Sequence, residues 1–286
     1  MKVEISESHL LAALTFGNQN GHHTSVWHTP FNSNINPPQR SPVVSHHPCQ
    51  FNTESINILS WNSHGLTSSV PYIQSLLCEK PSVLVLSEHW LWPYELIRLN
   101  DIYDDHEATG KADSRLTETS NGGRGFGGIA ILWHKKIGAI PVSDITSNRI
   151  CVVRFCDPND NRSTVSVIGV YFPCSDQGMD CYRDHLQELE RIITDSILLG
   201  PVIILGDFNA HLGSLGGVRG TANPNLRGIL LSDIMDRHYL CALSQCEWAT
   251  AHVSGNSMIT VDYIIASRCH LYNIMYNTPN DRSEYI

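Results

Sequence analysis

The stretch from Val202 to Leu212 reads Val-Ile-Ile-Leu-Gly-Asp-Phe-Asn-Ala-His-Leu. Its first four residues are large and apolar and three of them are β-branched, which predicts a short, fully buried strand. Gly206 ends the apolar run. Asp207 and Asn209 follow at a spacing of two, which places both side chains on one side of an extended segment. Asp and Asn are also common in turns for backbone reasons alone, so the case for a functional site depends on the other strands.

Other predicted strands also carry a polar side chain at or just beyond their ends. Asn62 follows Ile56–Trp61, Glu88 follows Val83–Ser87, and a tyrosine ends Val165–Tyr171. Any one of these residues could cap a turn, begin a solvated helix or cover the edge of a core. A coincidence at every strand end is much less plausible, so we expect the ends to surround one polar pocket. Further strands are predicted at Gly128–Trp133, Ile150–Phe155 and Val261–Ala266, and helices at Pro71–Cys78, Tyr182–Leu199 and Asn225–Tyr239.

The alternation of strands and helices predicts the fold class. It indicates an α/β (α+β) domain in which two packed mixed β-sheets are flanked by helices, a four-layer sandwich. Residues 1–54 are rich in Pro, Asn, Ser and His and have no apolar periodicity, which predicts a disordered N-terminal arm. The folded domain then occupies residues 55–286. The glycine-rich segment Asn121–Gly128 precedes a predicted strand rather than a helix, so we assign it no phosphate.

Composition limits the partners and the compartment. The net charge of −9 at pH 7 argues against tight, salt-sensitive DNA binding by this chain alone. Nine cysteines without a Cys-x-x-Cys pair are typical of free thiols in a reducing compartment. No apolar run is long enough to cross a bilayer. These features predict an intracellular protein, nuclear or cytoplasmic, that does not contact a membrane.

Five segments in chain order carry sequences that are specific when taken together: Ile58–Asn62, Val85–Leu91, Val170–Pro173, Leu205–His211 and Val261–Ile265. They resemble the motifs of the endonuclease/exonuclease/phosphatase family. More narrowly, they resemble the apurinic-type endonuclease domain of non-LTR (LINE-like) retrotransposons. This resemblance implies hydrolysis of a phosphodiester, with target DNA as the nicked substrate. It also implies a reverse transcriptase encoded downstream in the parent element.

The chemistry of the predicted cluster suits a hard divalent cation. Oxygen ligands without clustered Cys or His favour Mg²⁺ or Mn²⁺, and magnesium commonly needs only one or two protein carboxylates. Glu88 is the first candidate metal ligand, with Asn62 beside it. Asp207 is placed to orient or deprotonate the attacking water. Asn209 and Tyr171 are candidate donors to the phosphate, where charge develops in the transition state.

The last motif of the family is not conserved in its usual form. By resemblance, Asp262 orients the histidine of a Ser-Asp-His motif, which makes the last contact with the phosphate. The chain has Ser283-Glu284-Tyr285 at the corresponding place and then ends at Ile286. Glu284 keeps a carboxylate for the metal, but the hydroxyl of Tyr285 supplies no cation near neutral pH. We therefore expect a C-terminally truncated domain that lacks its closing strand and is weakly active or inactive.

Two other functions stay open at this point. The first is a catalytically dead remnant that binds nucleic acid or a protein partner through the polar pocket at the strand ends. The second is a phosphatase for small phosphoesters, because the same family fold handles inositol phosphates and phospholipids. The acidic net charge mildly favours the second of these.

Overall fold

The structure is a computed structural model of the 286-residue chain. The candidate ligand Glu284 and the position of the family's histidine, Tyr285, lie outside the residues that it describes. Backbone and side chains are described at 56–78, 82–116, 124–157, 162–213, 223–243 and 261–268, and the backbone alone at 12–16, 252–254, 257–259 and 274–277.

The first of two large sheets has six strands. In spatial order they are β14 (Ile274–Asn277), β1 (Ala12–Phe16), β2 (Asn57–Asn62), β3 (Ser82–Ser87), β5 (Ile129–His134) and β4 (His106–Lys111). β2 and β3 are parallel, whereas the other neighbouring strands are antiparallel. The carboxyl ends of β2 and β3 therefore lie at the same edge of the sheet.

Strand β1 differs from the prediction of a disordered arm over residues 1–54. It pairs antiparallel with β2 on one side and with β14 on the other, so the outer edge of β2 is covered. A five-residue strand whose pairing partners are distant in sequence leaves little local signal, because strand formation depends on context. The remainder of the arm lies outside the described residues. The expected lack of a closing C-terminal strand also concerns residues outside the described ones.

The second large sheet also has six strands. In spatial order they are β10 (Leu240–Ala242), β13 (Asp262–Ser267), β9 (Val202–Asp207), β8 (Thr164–Tyr171), β7 (Ile150–Cys156) and β6 (Ile140–Pro141). β8 and β9 are parallel, and the other neighbours are antiparallel. A separate hairpin consists of β11 (His252–Ser254) and β12 (Ser257–Ile259). All seven predicted strands are present, with ends within two residues of the prediction.

Three α-helices lie in the described part of the chain, and each corresponds to a predicted helix. They are α1 (Leu66–Leu77), α2 (Met179–Ile197) and α3 (Leu226–Arg237). α1 begins five residues before the predicted start, so that Pro71 lies inside the helix. Asn225 caps α3, because its side-chain oxygen accepts a hydrogen bond from the backbone N–H of Gly228 at 2.8 Å. Within the described part of the chain, no helix has the length and apolar character that crossing a bilayer requires.

Alternating side chains on the central strands build the layers. Val85 of β3 packs with Leu205 of β9 in a core between the two sheets. Leu84 faces the opposite way and packs with Ile73 of α1. On β9 the same alternation places Ile204 in the core beneath α2 and α3. The order helix, sheet, sheet, helices confirms the predicted four-layer sandwich.

The two sheets approach closely at Gly169 of β8. A Cβ at this position would lie 2.9 Å from Cγ1 of Val85 and 3.4 Å from Cγ1 of Ile131. The missing side chain therefore allows β8 to lie directly against β3 and β5. This close approach lies two residues before Tyr171, the last residue of β8.

Gly206 is expected to be a position where alanine is poorly tolerated. Its φ is 131°, and an added Cβ would overlap the carbonyl oxygen of Val170 on β8. Because backbone strain and a clash with the neighbouring strand act together, Gly206→Ala should lower the free energy of unfolding by about 3 kcal/mol. Chemical denaturation followed by circular dichroism measures the change.

Gly178→Ala is the matched control for this experiment. Gly178 also has a positive φ, 78°, but no atom lies within 4 Å of its added Cβ. Its substitution should cost only the backbone strain, about 1 kcal/mol. Equal losses at the two positions would contradict the proposed clash between β9 and β8.

Candidate active site

Polar residues of both sheets meet at one edge of the sandwich. Asn62 ends β2, and Glu88 follows β3, the parallel neighbour of β2. On the second sheet, Tyr171 ends β8 and pairs in register with Asp207 at the end of β9. The antiparallel strand β13 begins at Asp262, which is the register partner of Asp207. The topology thus brings five of the predicted site residues to the carboxyl ends of four strands and the amino end of a fifth.

Both carboxylate oxygens of Glu88 have partners. The amide nitrogen Nδ2 of Asn62 donates to Oε1 at 3.0 Å, and Nδ1 of His64 lies 3.1 Å from Oε2. The side-chain oxygen of Asn62 accepts a hydrogen bond from the backbone N–H of His64 at 3.1 Å. In this arrangement Asn62 orients Glu88 and holds the turn that carries His64.

The loop that carries Glu88 is fixed by a buried histidine. The backbone N–H of Glu88 donates to the carbonyl of Gly128 at 2.9 Å. Nδ1 of His89 accepts from the N–H of Leu91 at 3.0 Å, and Nε2 lies 3.2 Å from the carbonyl oxygen of Lys111. Burial lowers the pKa of His89 to about 4, so the ring is neutral and Nε2 carries the proton that is donated to the carbonyl.

Asp207 and Asn209 form a tight polar turn after β9. The backbone N–H of Asn209 donates to Oδ1 of Asp207 at 2.8 Å, and its amide Nδ2 donates to the carbonyl of Phe172 at 2.9 Å. The φ of Asn209 is 46°, in a region that Asn tolerates better than most residues. The amide has two N–H donors, so the second can serve a ligand while the first holds the turn in place.

The carboxylates of the two sheets lie within electrostatic reach of one another. Burial raises the pKa of Asp207, and the nearby charges of Asp262 and Glu88 raise it further. Burial also raises the pKa of Asp262 to about 7, with a further contribution from Glu88. Glu88 belongs to the first sheet and the two aspartates to the second. Residues far apart in the sequence therefore share a single acidic site.

Tyr171 lies between this acidic site and a buried ion pair. Burial raises the pKa of its hydroxyl, and the charges of Glu88 and Asp207 act in the same direction. The guanidinium carbon of Arg149 is 5.0 Å from the centroid of the tyrosine ring. Arg149 in turn donates to Oδ2 of Asp113 at 2.8 Å, and both residues are buried. The pair holds Tyr171 in place, and its two charges offset each other.

Arg227 of α3 connects the loops that follow β8 and β9. Its guanidinium donates to the carbonyl of Cys174 at 2.9 Å and to that of Pro173. It also donates to the carbonyl of Asn209 at 3.4 Å. Because Tyr171 lies just before the first loop and Asn209 lies in the second, this buried arginine fixes their relative positions.

Sequence reasoning missed His64, Arg149 and Arg227. One signal pointed to His64, because it follows Asn62 at the spacing of two that also separates Asp207 from Asn209. The two arginines carry no such signal. Each is an isolated charge whose partners are distant in the sequence, 36 residues away for the Arg149–Asp113 pair.

The fold and the site define a class of protein: a two-sheet α/β sandwich with carboxylates and amides at one edge of both sheets. A family model described as "Endonuclease/Exonuclease/phosphatase family" matches residues 59–275. The match covers more than half of the chain, which therefore belongs to the endonuclease/exonuclease/phosphatase family. The resemblance noted in the sequence is confirmed, and it supports a nuclease or phosphodiesterase of this superfamily.

Several solved structures share the fold. The 3′ phosphatase NExo from Neisseria, bound to a product DNA hairpin, is 16% identical over 75% of this chain and 88% of its own, with a TM-score of 0.54. The endonuclease domain of TRAS1, a telomere-specific non-LTR retrotransposon, is 16% identical over 75% and 86%, with a TM-score of 0.52. The catalytic domain of APE2 from Xenopus laevis is 18% identical over 75% and 83%, with a TM-score of 0.55. No curated protein sequence matches the chain. At these identities the likeness shows the fold alone.

The donor set at this edge fits a divalent cation that keeps several water ligands. Among the described residues, no group of three or more His, Cys, Asp and Glu side chains is arranged to hold a metal ion. Magnesium is commonly bound by one or two carboxylates plus water, which Glu88 can satisfy. The charge of Glu88 also raises the pKa values of Asp207 and Asp262, an effect that a cation bound beside them would offset.

The raised pKa of Asp262 predicts how stability depends on pH without metal. A carboxyl whose pKa rises from 3.8 to about 7 on folding binds its proton more tightly in the folded state. Its contribution to stability is therefore fully present below pH 3.8 and is lost as the pH rises through about 7. In EDTA, the free energy of unfolding of the wild type should fall as the pH rises from 3.8 to about 7. It should fall less in Asp262→Asn.

Denaturant titrations at a series of pH values measure this dependence. Asp236→Asn is the control, because the side chain of Asp236 is 71% exposed on α3. It should leave the pH dependence unchanged. An Asp262→Asn variant with the wild-type pH dependence would show that Asp262 is not the group that titrates.

Proposed function

We propose that this chain hydrolyses phosphodiester bonds with the help of a divalent cation, Mg²⁺ or Mn²⁺, and that it nicks DNA. One observation carries the proposal: Glu88 follows β3 of the first sheet, and Asp207 and Asp262 are register partners on the second, near enough for the charge of Glu88 to raise the pKa values of both. Residues on separate sheets gain nothing for folding from such a meeting, because buried like charges repel one another. The arrangement is the one that a metal-assisted attack on a phosphate requires.

The residues have distinct proposed roles. A divalent cation held by Glu88 would neutralise a phosphate oxygen and stabilise the departing oxygen. Asp207 orients the attacking water and accepts its proton, and the N–H of Asn209 fixes the carboxylate in position. The raised pKa of Tyr171 keeps its hydroxyl protonated, so that it donates to the phosphate together with the amide of Asn209.

The proposed activity is low because of Tyr285. In the proposed scheme Asp262 orients the group that makes the last phosphate contact, and Glu284 adds a carboxylate to the metal. A tyrosine in place of the family's histidine removes a positioned acid–base group, which typically costs about 10²–10⁴ in rate.

Nicking of supercoiled plasmid tests this proposal. With Mg²⁺ or Mn²⁺, the wild-type chain should convert supercoiled to open-circular DNA slowly, and Tyr285→His should raise the rate by at least about tenfold. Glu88→Gln should abolish nicking in both backgrounds, because the cation loses its carboxylate. Asp236→Asn, an exposed carboxylate on α3, serves as the control and should retain the wild-type rate.

Two results would contradict parts of the proposal. Rapid nicking by the unmodified chain would show that Tyr285 causes no deficit. Binding of metal without turnover by either the wild type or Tyr285→His would instead favour a catalytically dead remnant that binds nucleic acid or a protein.

The rim of the site favours DNA over a small phosphoester. The guanidinium of Arg124 lies 3.7 Å from the centroid of the Trp90 ring, and that ring lies 4.9 Å from the ring of His64. Arg115 donates to both carboxylate oxygens of Asp113 at 3.0 Å and lies 4.8 Å from the centroid of the exposed Phe126. Exposed arginines beside aromatic rings can contact both the phosphates and the bases of a nucleic acid.

The motif resemblance of Val85–Leu91 and Leu205–His211 supports a retrotransposon origin for the proposed nicking activity. In that case the chain cuts target DNA, and its partner is a reverse transcriptase encoded downstream in the parent element. The acidic net charge of −9 is consistent with weak DNA binding by this chain alone.

Arg124→Ala tests the contribution of the rim. Fluorescence anisotropy with a labelled duplex should show weaker binding. The slope of log affinity against log salt concentration should also become shallower by about one unit, which corresponds to one lost phosphate contact. Arg268→Ala is the control, because Arg268 follows β13 at the end opposite Asp262, about 20 Å along the strand. Hydrolysis of bis(p-nitrophenyl) phosphate, which needs only the central site, should be unchanged in both variants. Equal DNA affinities for the two variants would rule out this use of the rim.

A further inference from the structure

His64 occupies a position that the proposed scheme has not yet used. It lies two residues beyond the end of β2 with a φ of 48°, a conformation that non-glycine residues seldom adopt. Its Nδ1 lies 3.1 Å from Oε2 of Glu88. The side chain of His64 is 62% exposed and that of Glu88 18%, so an ion can reach both from solvent.

The separation of these two atoms fits two ligands of one metal. Ligands at adjacent corners of an octahedron with bonds of about 2.1 Å are about 3.0 Å apart. The distance between Nδ1 and Oε2 is 3.1 Å. The same distance also fits a hydrogen bond in which an Nδ1–H of the ring donates to the carboxylate. A metal ion bonded to both atoms would lie off the line that joins them, so the imidazole would turn by about 45° to direct its lone pair at the ion.

The backbone around the two side chains is firmly held. The N–H of Gly65 donates to the carbonyl of Glu88 at 2.9 Å, and the hydroxyl of Ser63 donates to the same carbonyl at 3.0 Å. The ring of Trp90 packs beside the imidazole of His64. The turns after β2 and β3 are thus locked together before any metal binds, which lowers the entropy cost of placing two ligands around an ion.

We propose that Nδ1 of His64 is a ligand of the divalent cation at Glu88, and that this nitrogen shifts the preference of the site from Mg²⁺ towards Mn²⁺. The inference rests on the metal site of the proposed function and adds the identity of its cation. Imidazole suits transition metals, whereas Mg²⁺ prefers oxygen donors and retains its water. Asn62 holds the other carboxylate oxygen, Oε1, and so leaves Oε2 facing the imidazole.

The direct test is electron spin echo envelope modulation of Mn²⁺ added to metal-free protein. A coordinated imidazole gives ¹⁴N modulation, which we expect in the wild type. His64→Asn should abolish the modulation, because it removes the nitrogen ligand while keeping a residue that tolerates positive φ. His134→Asn is the matched control: His134 ends β5 at the edge opposite Gly128, and its Nδ1 accepts a hydrogen bond from the N–H of Lys136 that Asn can also accept.

Calorimetry provides the second readout. The ratio of Mn²⁺ to Mg²⁺ affinity should fall by at least about tenfold in His64→Asn and stay constant in His134→Asn. Glu88→Gln should weaken the binding of both ions. Absence of ¹⁴N modulation in the wild type, its persistence in His64→Asn, or an unchanged affinity ratio would overturn the inference.

These outcomes are distinguishable from a failure of the proposed function. ¹⁴N-coordinated Mn²⁺ in a chain that nicks no DNA, even as Tyr285→His, would support the ligand assignment and reject the nuclease proposal. Nicking of DNA by a chain whose bound Mn²⁺ shows no ¹⁴N modulation would support the nuclease proposal and reject the ligand assignment.

Discussion

The packing of the two sheets against each other decides whether the site exists. Glu88 extends from the first sheet and Asp207 from the second, so no interaction within either sheet can bring them together. The apolar core between β3 and β9 brings them together, and it includes Val83, Val85, Ile203 and Leu205. Each fully buried aliphatic side chain of this kind contributes about 1.5–3 kcal/mol. The apolar core therefore holds acidic groups near one another against their mutual repulsion.

The charge balance of the site explains why it would favour a cation. The charge of Glu88 raises the pKa values of Asp207 and Asp262, and the charge of Asp262 raises that of Asp207 further. The buried Arg149 near them is already paired with Asp113. Opposite charges about 4 Å apart attract by about 4 kcal/mol at the effective dielectric constant of a protein surface. A divalent ion among these carboxylates would remove repulsion that the core otherwise has to overcome. Metal binding and stability should therefore be linked.

The sequence predicted the elements whose signal is local and failed where the partners are distant. Continuous apolar runs marked β3 and β9, because strands covered on both faces need no polar side chains. The strand-end residues Glu88 and Asp207 followed from the same pattern. β1 and β4 were missed because each depends on pairing with a neighbour rather than on its own periodicity. Arg149 was missed for a similar reason, since its role comes from contacts with segments far along the chain.

Backbone strain gives an independent reason to place function at this edge. Five non-glycine residues in the described part of the chain have a positive φ, and four of them lie in the loops of the site: His64, Glu88, Trp90 and Asn209. Such conformations cost of order 1 kcal/mol or more each and persist only where the surroundings over-determine them. Here the surroundings are the hydrogen bonds that join the turns after β2 and β3 and those that hold the turn after β9. A fold that needed these loops only as connections could relax them. That the strain is kept at one edge, beside the carboxylates, indicates that the positions of Glu88 and Asn209 matter more than the stability lost in holding them.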